Sequence, residues 1–336
     1  MPSLTYYYSR TDQNHQEYFG HLKNISDEYN LTLLDICIEE QESLTDKHQG
    51  KTPVLCIGPY VLSSPFSDTD LHVAIRSALS RHERYLKDDD QNYKRRLKNG
   101  LTFSRFDQFS YFFSKYYAII ISMIIFLYIL IPFFAPVLAH NGFTRAANGI
   151  YKVYRVMCHQ LAFRSFFLYG EQPFYPRELA GIEKFITYEE IINSKVIDLT
   201  FASSFIGNEK LGYKVAICQR DVAIYGSLVL FGAIFHFTGK KVKNIKWYWW
   251  LIFGLIPIGI DGLSQIPSLS TGWPSWFPVR ESTPMLRLIT GSLFGLFTAW
   301  YLYPLMEESV MDTRVTLHRK KLLYKKLIEK KKSSDD

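Results

Sequence analysis

YYAIIISMIIFLYILIPFFAPVL, residues Tyr116 to Leu138, decides what kind of protein this is. The run carries no charged side chain. It is long enough for the roughly 30 Å hydrocarbon core of a bilayer, which takes about 20 helical residues. Pro132 and Pro136 fall near its far end, where a kink or a stop is tolerated. Three further runs downstream read the same way: Val215 to Phe237, Trp247 to Gln265 and Thr283 to Leu305. Aromatic residues mark the ends, with Tyr116 and Tyr117, Trp247 to Trp250, Trp273 and Trp276, and Trp300 to Tyr303. Tyrosine and tryptophan favour the membrane interface because one end of the ring is apolar and the other hydrogen-bonds.

Upstream of this run the chain changes character. Residues 1–112 are polar and mixed in charge, so the mean hydropathy of -0.06 averages two unlike halves. The formal charge of +7 is not spread evenly. Lys94, Arg95, Arg96 and Lys98 precede the first span, and Lys240, Lys241, Lys243 and Lys246 lie between the second and third. Arg319, Lys320, Lys321, Lys325, Lys326 and Lys330 to Lys332 follow the fourth. With four spans these three groups share one side, and the positive-inside rule makes that side the cytoplasm. The expected topology therefore has both termini cytoplasmic and loops 139–214 and 266–282 outside, in a prokaryotic inner or plasma membrane. Cations crowded beside spans are explained by lipid, which argues against nucleic-acid binding. Met1 to Tyr8 lacks the basic start and apolar core of a secretory signal. The four cysteines, Cys37, Cys56, Cys158 and Cys218, form no CxxC pair, which argues against a zinc ribbon.

The amino-terminal part reads as β-α-β-β-β-α. Leu4 to Tyr8 is a strand, and His15 to Tyr29 has helical spacing through Tyr18, Phe19, Leu22, Ile25 and Tyr29. Leu31 to Ile36 is an apolar strand, and Pro53 to Ile57 with Tyr60 to Leu62 forms a hairpin around Gly58-Pro59. Asp68 to Leu79 is a helix capped by Ser67. This order, with the element Lys51-Thr52-Pro53-Val54, resembles the thioredoxin superfamily and its glutaredoxin-like domains. In that family a proline before the third strand faces a redox site after the first. Here the redox slot holds Ser9-Arg10-Thr11-Asp12, so no thiolate is available for disulfide exchange. The resemblance implies a binding module that kept the fold and lost the chemistry. The expected fold class is α+β multidomain. A thioredoxin-like domain covers 1–84 and a basic polar linker 85–112. An all-α four-helix transmembrane domain follows over 113–308, with an interfacial helix near 150–169, and a basic cytoplasmic tail ends the chain at 309–336.

Polar residues gather near one end of the spans. Cys158-His159-Gln160 lies in the amphipathic stretch Ile150 to Tyr169, which is too charged to span. Cys218, Arg220 and Asp221 begin the second span, and Cys218 and Asp221 share a helix face. Asp261 and Gln265 end the third, Arg280 and Glu281 precede the fourth, and Arg287 follows about a turn and a half in. Alternating spans bring all of them to the extracytoplasmic face. Charged groups at that depth must be paired or face a cavity, and Arg220 and Arg287 can pair with Asp221, Asp261 and Glu281. CHQLAFRSFFLYG (158–170), Cys218-Gln219-Arg220-Asp221, Asp261-Gly262-Leu263-Ser264-Gln265, and Arg280-Glu281-Ser282 through Arg287 to Thr290-Gly291 resemble a family of bacterial and archaeal predicted membrane proteins of unknown function. That resemblance covers roughly 130–305 and brings no reaction with it; residues 171–212 read as an inserted loop.

Three chemistries remain open for Cys158 and Cys218: a structural disulfide, a zinc or copper site with His159 and a carboxylate, or a redox-active pair. The preferred function is binding of a metal ion or small ligand at this extracytoplasmic cluster, with transport of that ligand as its extension. A membrane thiol–disulfide oxidoreductase using Cys158 and Cys218 is the second reading. A scaffold or sensor, in which the cytoplasmic module recruits a protein partner, is the third. The cofactor is left unknown by these readings. Gly291 and Gly295, a small-xxx-small pair, pack within the bundle or form a homo-oligomer.

Overall fold

The computed structural model describes residues 3–12, 15–40, 44, 51–269, 274, 276 and 279–335. Trp273 lies outside the described residues. The chain divides into two compact units, Met1–Lys115 with Ser309–Asp336, and Tyr116–Glu308.

The first unit is built on β1 (Ser3–Tyr8), α1 (His15–Glu28), β2 (Thr32–Cys37), β3 (Val54–Ile57), β4 (Tyr60–Ser63) and α2 (Asp68–Lys87). The sheet order is β2-β1-β3-β4, with β1 parallel to β2 and antiparallel to β3, and β3 antiparallel to β4. A parallel pair needs a crossover, and α1 supplies it. Alternation along β1 gives the sheet two apolar faces. Leu4 and Tyr6, with Leu55 and Ile57, pack under Leu22 and Ile25 of α1 and Leu71 and Ile75 of α2. Tyr7, with Ile36 and Val54, faces the other way. That second face packs against Val315 and Leu322 of the C-terminal helix, Pro284–Asp335. Lys326 of the same helix pairs with Asp35 of the edge strand β2 at 3.2 Å.

The basic segment expected as a tail is therefore a structural part of the first unit, because its leucine and valine positions have a sheet to cover. The segment expected as a linker is helical too. α2 runs to Lys87, and α3 (Gln91–Leu101) follows. Ser67 and Asp70 form a capping box on α2, and the Asp90 side chain accepts from the Tyr93 amide at the start of α3. In the slot after β1, Ser9 Oγ donates to Glu39 Oε1 at 2.5 Å and Cys37 Sγ donates to Glu39 Oε2 at 3.0 Å. Those two hydrogen bonds, Cys37 first, hold the Glu39 carboxyl down at about 2.

Among the described residues four helices are long and apolar enough to cross a membrane: Arg105–His140, Gln219–Phe237, Trp247–Ser268 and Pro284–Lys332. The first is α4 (Arg105–His140). Ile124, Leu127, Leu230, Ile234, Ile252, Ile260 and Ile289 are exposed along these helices, as suits lipid contact. After α4 come α5 (Thr144–Arg155), β5 (Ser165–Leu168), α6 (Tyr188–Ile192), α7 (Leu199–Ser204), β6 (Gly207–Asn208), β7 (Gly212–Cys218) and α8 (Gln219–Phe237). The third span starts as α-helix at Trp247–Trp249, passes through a π segment at Trp250–Leu255 and returns to α-helix as α9 (Ile256–Leu263). Pro257 lacks an N–H, and the wider π turn directly before it accommodates the missing bond. The fourth span belongs to α10 (Pro284–Asp335).

Three expectations change here. The interfacial helix near 150–169 is helical only to Arg155. Beyond it the chain forms a loop, a 3-10 turn at Ala162–Arg164 and β5, because residues 165–168 find a pairing partner in β7. The second span starts at Gln219 rather than Val215. Val215 to Cys218 is strand, since β7 is the middle of the sheet β5-β7-β6 and a strand buried on both sides reads as a continuous apolar run. Residues 171–212 are not a bare loop: Tyr175, Tyr188 and Ala202 share a core with Leu161, Ala162, Phe163 and Phe167.

The bundle is held by close approaches. A Cβ on Gly295 would lie 2.2 Å from the Ile224 carbonyl oxygen, and one on Gly291 2.7 Å from that of Arg220. The small-xxx-small face of α10 thus packs on α8 within one chain. Tyr117 Oη donates to the Tyr303 carbonyl at 3.1 Å, and Trp250 Nε1 donates to Thr298 Oγ1 at 3.0 Å.

Candidate functional site

The site forms where β7 hands over to α8. Cys218 is the N-cap of α8, and its sulfur accepts the Asp221 amide at 3.4 Å. The first helical turn then places Arg220 and Asp221 beside it. Opposite, α5 ends and the Cys158 amide donates to the Tyr154 carbonyl at 2.9 Å. Gln160 adopts φ 52 and is buried. Its amide nitrogen donates to the Tyr151 and Ala216 carbonyls, each at 3.0 Å, stapling the loop to β7. Lys214 on β7 is fully buried, donating from Nζ to the Gln160 carbonyl at 2.7 Å and the Ser203 carbonyl at 2.9 Å. Burial, and then the nearby Arg155, pull its ammonium down to about 7.

Two charge clusters support this junction. In the first, the wholly buried Glu281 carboxylate accepts from Arg164 Nε at 2.8 Å, Arg164 Nη2 at 3.1 Å and Ser268 Oγ at 3.0 Å, and from Arg287. Arg287 also donates to the Phe163 carbonyl and to Gln219 Oε1, both at 3.2 Å. Arg177 stands 3.8 Å from Glu281 and bonds Glu189 at 3.2 Å. In the second cluster, Asp261 pairs with Arg220 and, at 3.4 Å, with Arg280, which also donates to Ser264 Oγ at 3.0 Å. The Gln265 amide donates to the Asp261 carbonyl at 2.6 Å. Arg164, Arg177, Arg220, Arg280 and Arg287 thus face Glu189, Asp261 and Glu281, which leaves a positive surplus.

A cavity of about 710 Å³ opens over the junction. Cys158, His159, Gln160, Cys218, Arg220, Asp221, Gln265 and Arg287 all line it, with Arg155 and Arg164. Cys158 and Cys218 are both free thiols. Their sulfurs and an Asp221 carboxylate oxygen lie within 4.8 Å of one another.

The expected pairings thus resolve into definite partners: Arg220 on Asp261, Arg287 on Glu281, and Asp221 turned to the thiols instead of an arginine. His159 is exposed and stands apart from the two sulfurs and the carboxylate, because Cys158 and Gln160 point inward on either side of it. Asp261, Arg280 and Glu281 support the cavity without lining it. Four important residues were not singled out from sequence. Arg164 lies inside the quoted 158–170 stretch, and Lys214 is a lone lysine opening an apolar run; both signals were present. Arg177 and Glu189 fall in the stretch taken as an inserted loop, where nothing marked them.

With this geometry in place, the comparisons fit. No solved structure matches the chain. An uncharacterized protein of Methanocaldococcus jannaschii, MJ1492, is 29% identical over 205 residues, covering 58% of this chain and 96% of that relative. Residues 204–301, which hold Cys218, Arg220, Asp221, Asp261, Glu281 and Arg287, match the family described as predicted membrane protein (DUF2085).

Proposed function

We propose that the protein binds a small anionic ligand in the cavity beside Cys158 and Cys218. The observation that carries this is the cavity lining. Arg155, Arg164, Arg220 and Arg287 reach it and Asp221 is the one carboxylate among the described lining residues. The clusters beneath carry surplus guanidinium charge, and a ligand carboxylate or phosphate balances it. Deep buried pairs are costly to assemble, so their concentration at one end of the spans supports a function there. Basic segments on the opposite ends of the spans support an extracytoplasmic opening and cytoplasmic termini.

The first unit supports a companion reading. Its sheet order and strand senses fit a thioredoxin-like framework, and the slot after β1 offers Ser9 and Glu39 in place of thiols. It serves as an interaction module, not as an exchange enzyme.

Thermal unfolding of the purified protein in detergent, with malonate or inorganic phosphate added, tests the cavity. Stabilisation by either anion is expected, weakened by Arg155→Ala, since Arg155 is exposed and outside both charge clusters. Equal response of wild type and variant, or no response to either anion, would overturn the reading. A membrane-impermeant maleimide applied to intact cells should label Cys158 if the cavity opens outward.

A further inference from the structure

We infer that Cys158, Cys218 and Asp221 form a binding site for a thiophilic divalent metal ion, with a fourth coordination position open to the cavity. The inference rests on the cavity being a ligand site and gives that ligand something to coordinate.

The geometry comes first. The two sulfurs and the carboxylate oxygen lie within 4.8 Å of one another. In a tetrahedral zinc site, Zn–S bonds of about 2.3 Å put neighbouring sulfurs roughly 3.8 Å apart. A small inward movement of three side chains therefore closes the site. Two thiolates with one carboxylate select zinc, cadmium or cobalt over magnesium and calcium, which prefer all-oxygen shells. Three protein ligands and one free position are the arrangement of zinc sites that bind a further ligand.

The sequence builds the donor set by local rules. Cys218 ends β7 and caps α8, and Asp221 follows in the first turn on the same face. Cys158 is fixed by its amide bond to Tyr154 and by the Gln160 staple to β7.

Charge gives an independent argument. Asp261, Glu281 and Glu189 each hold an arginine, whereas among the described residues no arginine or lysine pairs with the Asp221 carboxylate. It is left to the thiols. A divalent ion with two thiolates and a carboxylate carries net negative charge, and the guanidinium surplus alongside offsets it. Two buried lining residues also point to a ligand. Gln160 and Gln265 have their amide nitrogens fixed on backbone carbonyls, so their side-chain oxygens are the acceptors, and both lack a donor. A metal-bound water or a ligand N–H or O–H supplies one. Each ion taken up displaces the two thiol protons, so uptake strengthens as pH rises.

The test uses the full-length protein in detergent, reduced and stripped with a chelator, then titrated with cobalt(II). One equivalent should give near-ultraviolet thiolate-to-cobalt charge transfer and the visible bands of tetrahedral cobalt, with zinc displacing it. Cys158→Ser, Cys218→Ser and Asp221→Asn should each weaken uptake at least tenfold, and His159→Ala should not. Zinc should shield both cysteines of the wild type from a maleimide until chelator is added, a readout that does not depend on the variants folding. No cobalt uptake by reduced protein, uptake indifferent to both cysteine changes, or a Cys158–Cys218 disulfide that survives reductant would overturn the site. Anion stabilisation of a wild-type protein that takes up no cobalt would leave the cavity reading standing while the metal fails.

Discussion

Lys214 shows how one side chain can fix a pH response. It has no carboxylate partner among its hydrogen bonds, only the carbonyls of Gln160 and Ser203. Burial therefore dominates, and the folded protein releases this proton near 7 while an unfolded chain keeps it to about 10.5. Between those values the unfolded state binds more protons, so stability rises with pH through the window and is flat below it. Thermal unfolding of metal-free protein between pH 7 and 10 should show that rise, and Lys214→Met should abolish it. A midpoint equally pH-dependent in the variant would show that another group is responsible. Sequence placed Cys158, Cys218, Arg220 and Arg287 in one neighbourhood, because alternating spans and the cost of buried charge allow few other arrangements. It could not choose Asp221 over His159 as the neighbour of the thiols, since that depends on Gln160 turning the loop at positive φ.

The helices and strands were readable to different depths. The spans announced themselves by length, the strands of the first unit by their short apolar runs, and α2 by its Ser67 cap. Where β7 meets α8 the reading failed, because a buried strand and a span are both simply apolar. The π segment was hidden as well: Pro257 signals a disturbance but not its form. The glycines of α10 were informative only in part, as spacing permits close approach without naming the partner. With α8 identified, a contrast follows. Gly295→Val drives a side chain into the Ile224 carbonyl and should cost about 1–3 kcal/mol through forced separation of the helices. Gly226→Val meets nothing within 4 Å and should stay within about 0.5 kcal/mol of wild type. Unfolding midpoints of the two variants in one detergent decide it, and equal losses would contradict the packing.

Taken whole, the chain is a membrane protein whose first compact unit needs distant sequence to finish it, while the second is one continuous stretch. The first unit borrows Val315 and Leu322 to cover the face of its sheet that carries Tyr7, Ile36 and Val54. Composition alone gave residues 309–336 the look of a basic cytoplasmic tail, since cations interleaved with leucines do not say what the leucines cover. The sheet claims them. Val315→Asp should therefore expose the first unit to limited proteolysis within residues 3–63 while the spans stay protected. An unchanged cleavage pattern would mean that this face is covered otherwise.

Cys218 ends one element and starts the next, and its sulfur is the acceptor on which the first turn of α8 hangs. Whatever happens to that sulfur is therefore also felt by a span. Alkylation adds bulk at a helix start, oxidation changes what the sulfur is bonded to, and coordination pins it. Chemistry at a single atom at the head of α8 thus bears on the seating of the whole rod, as a finger's touch on a latch bears on a door.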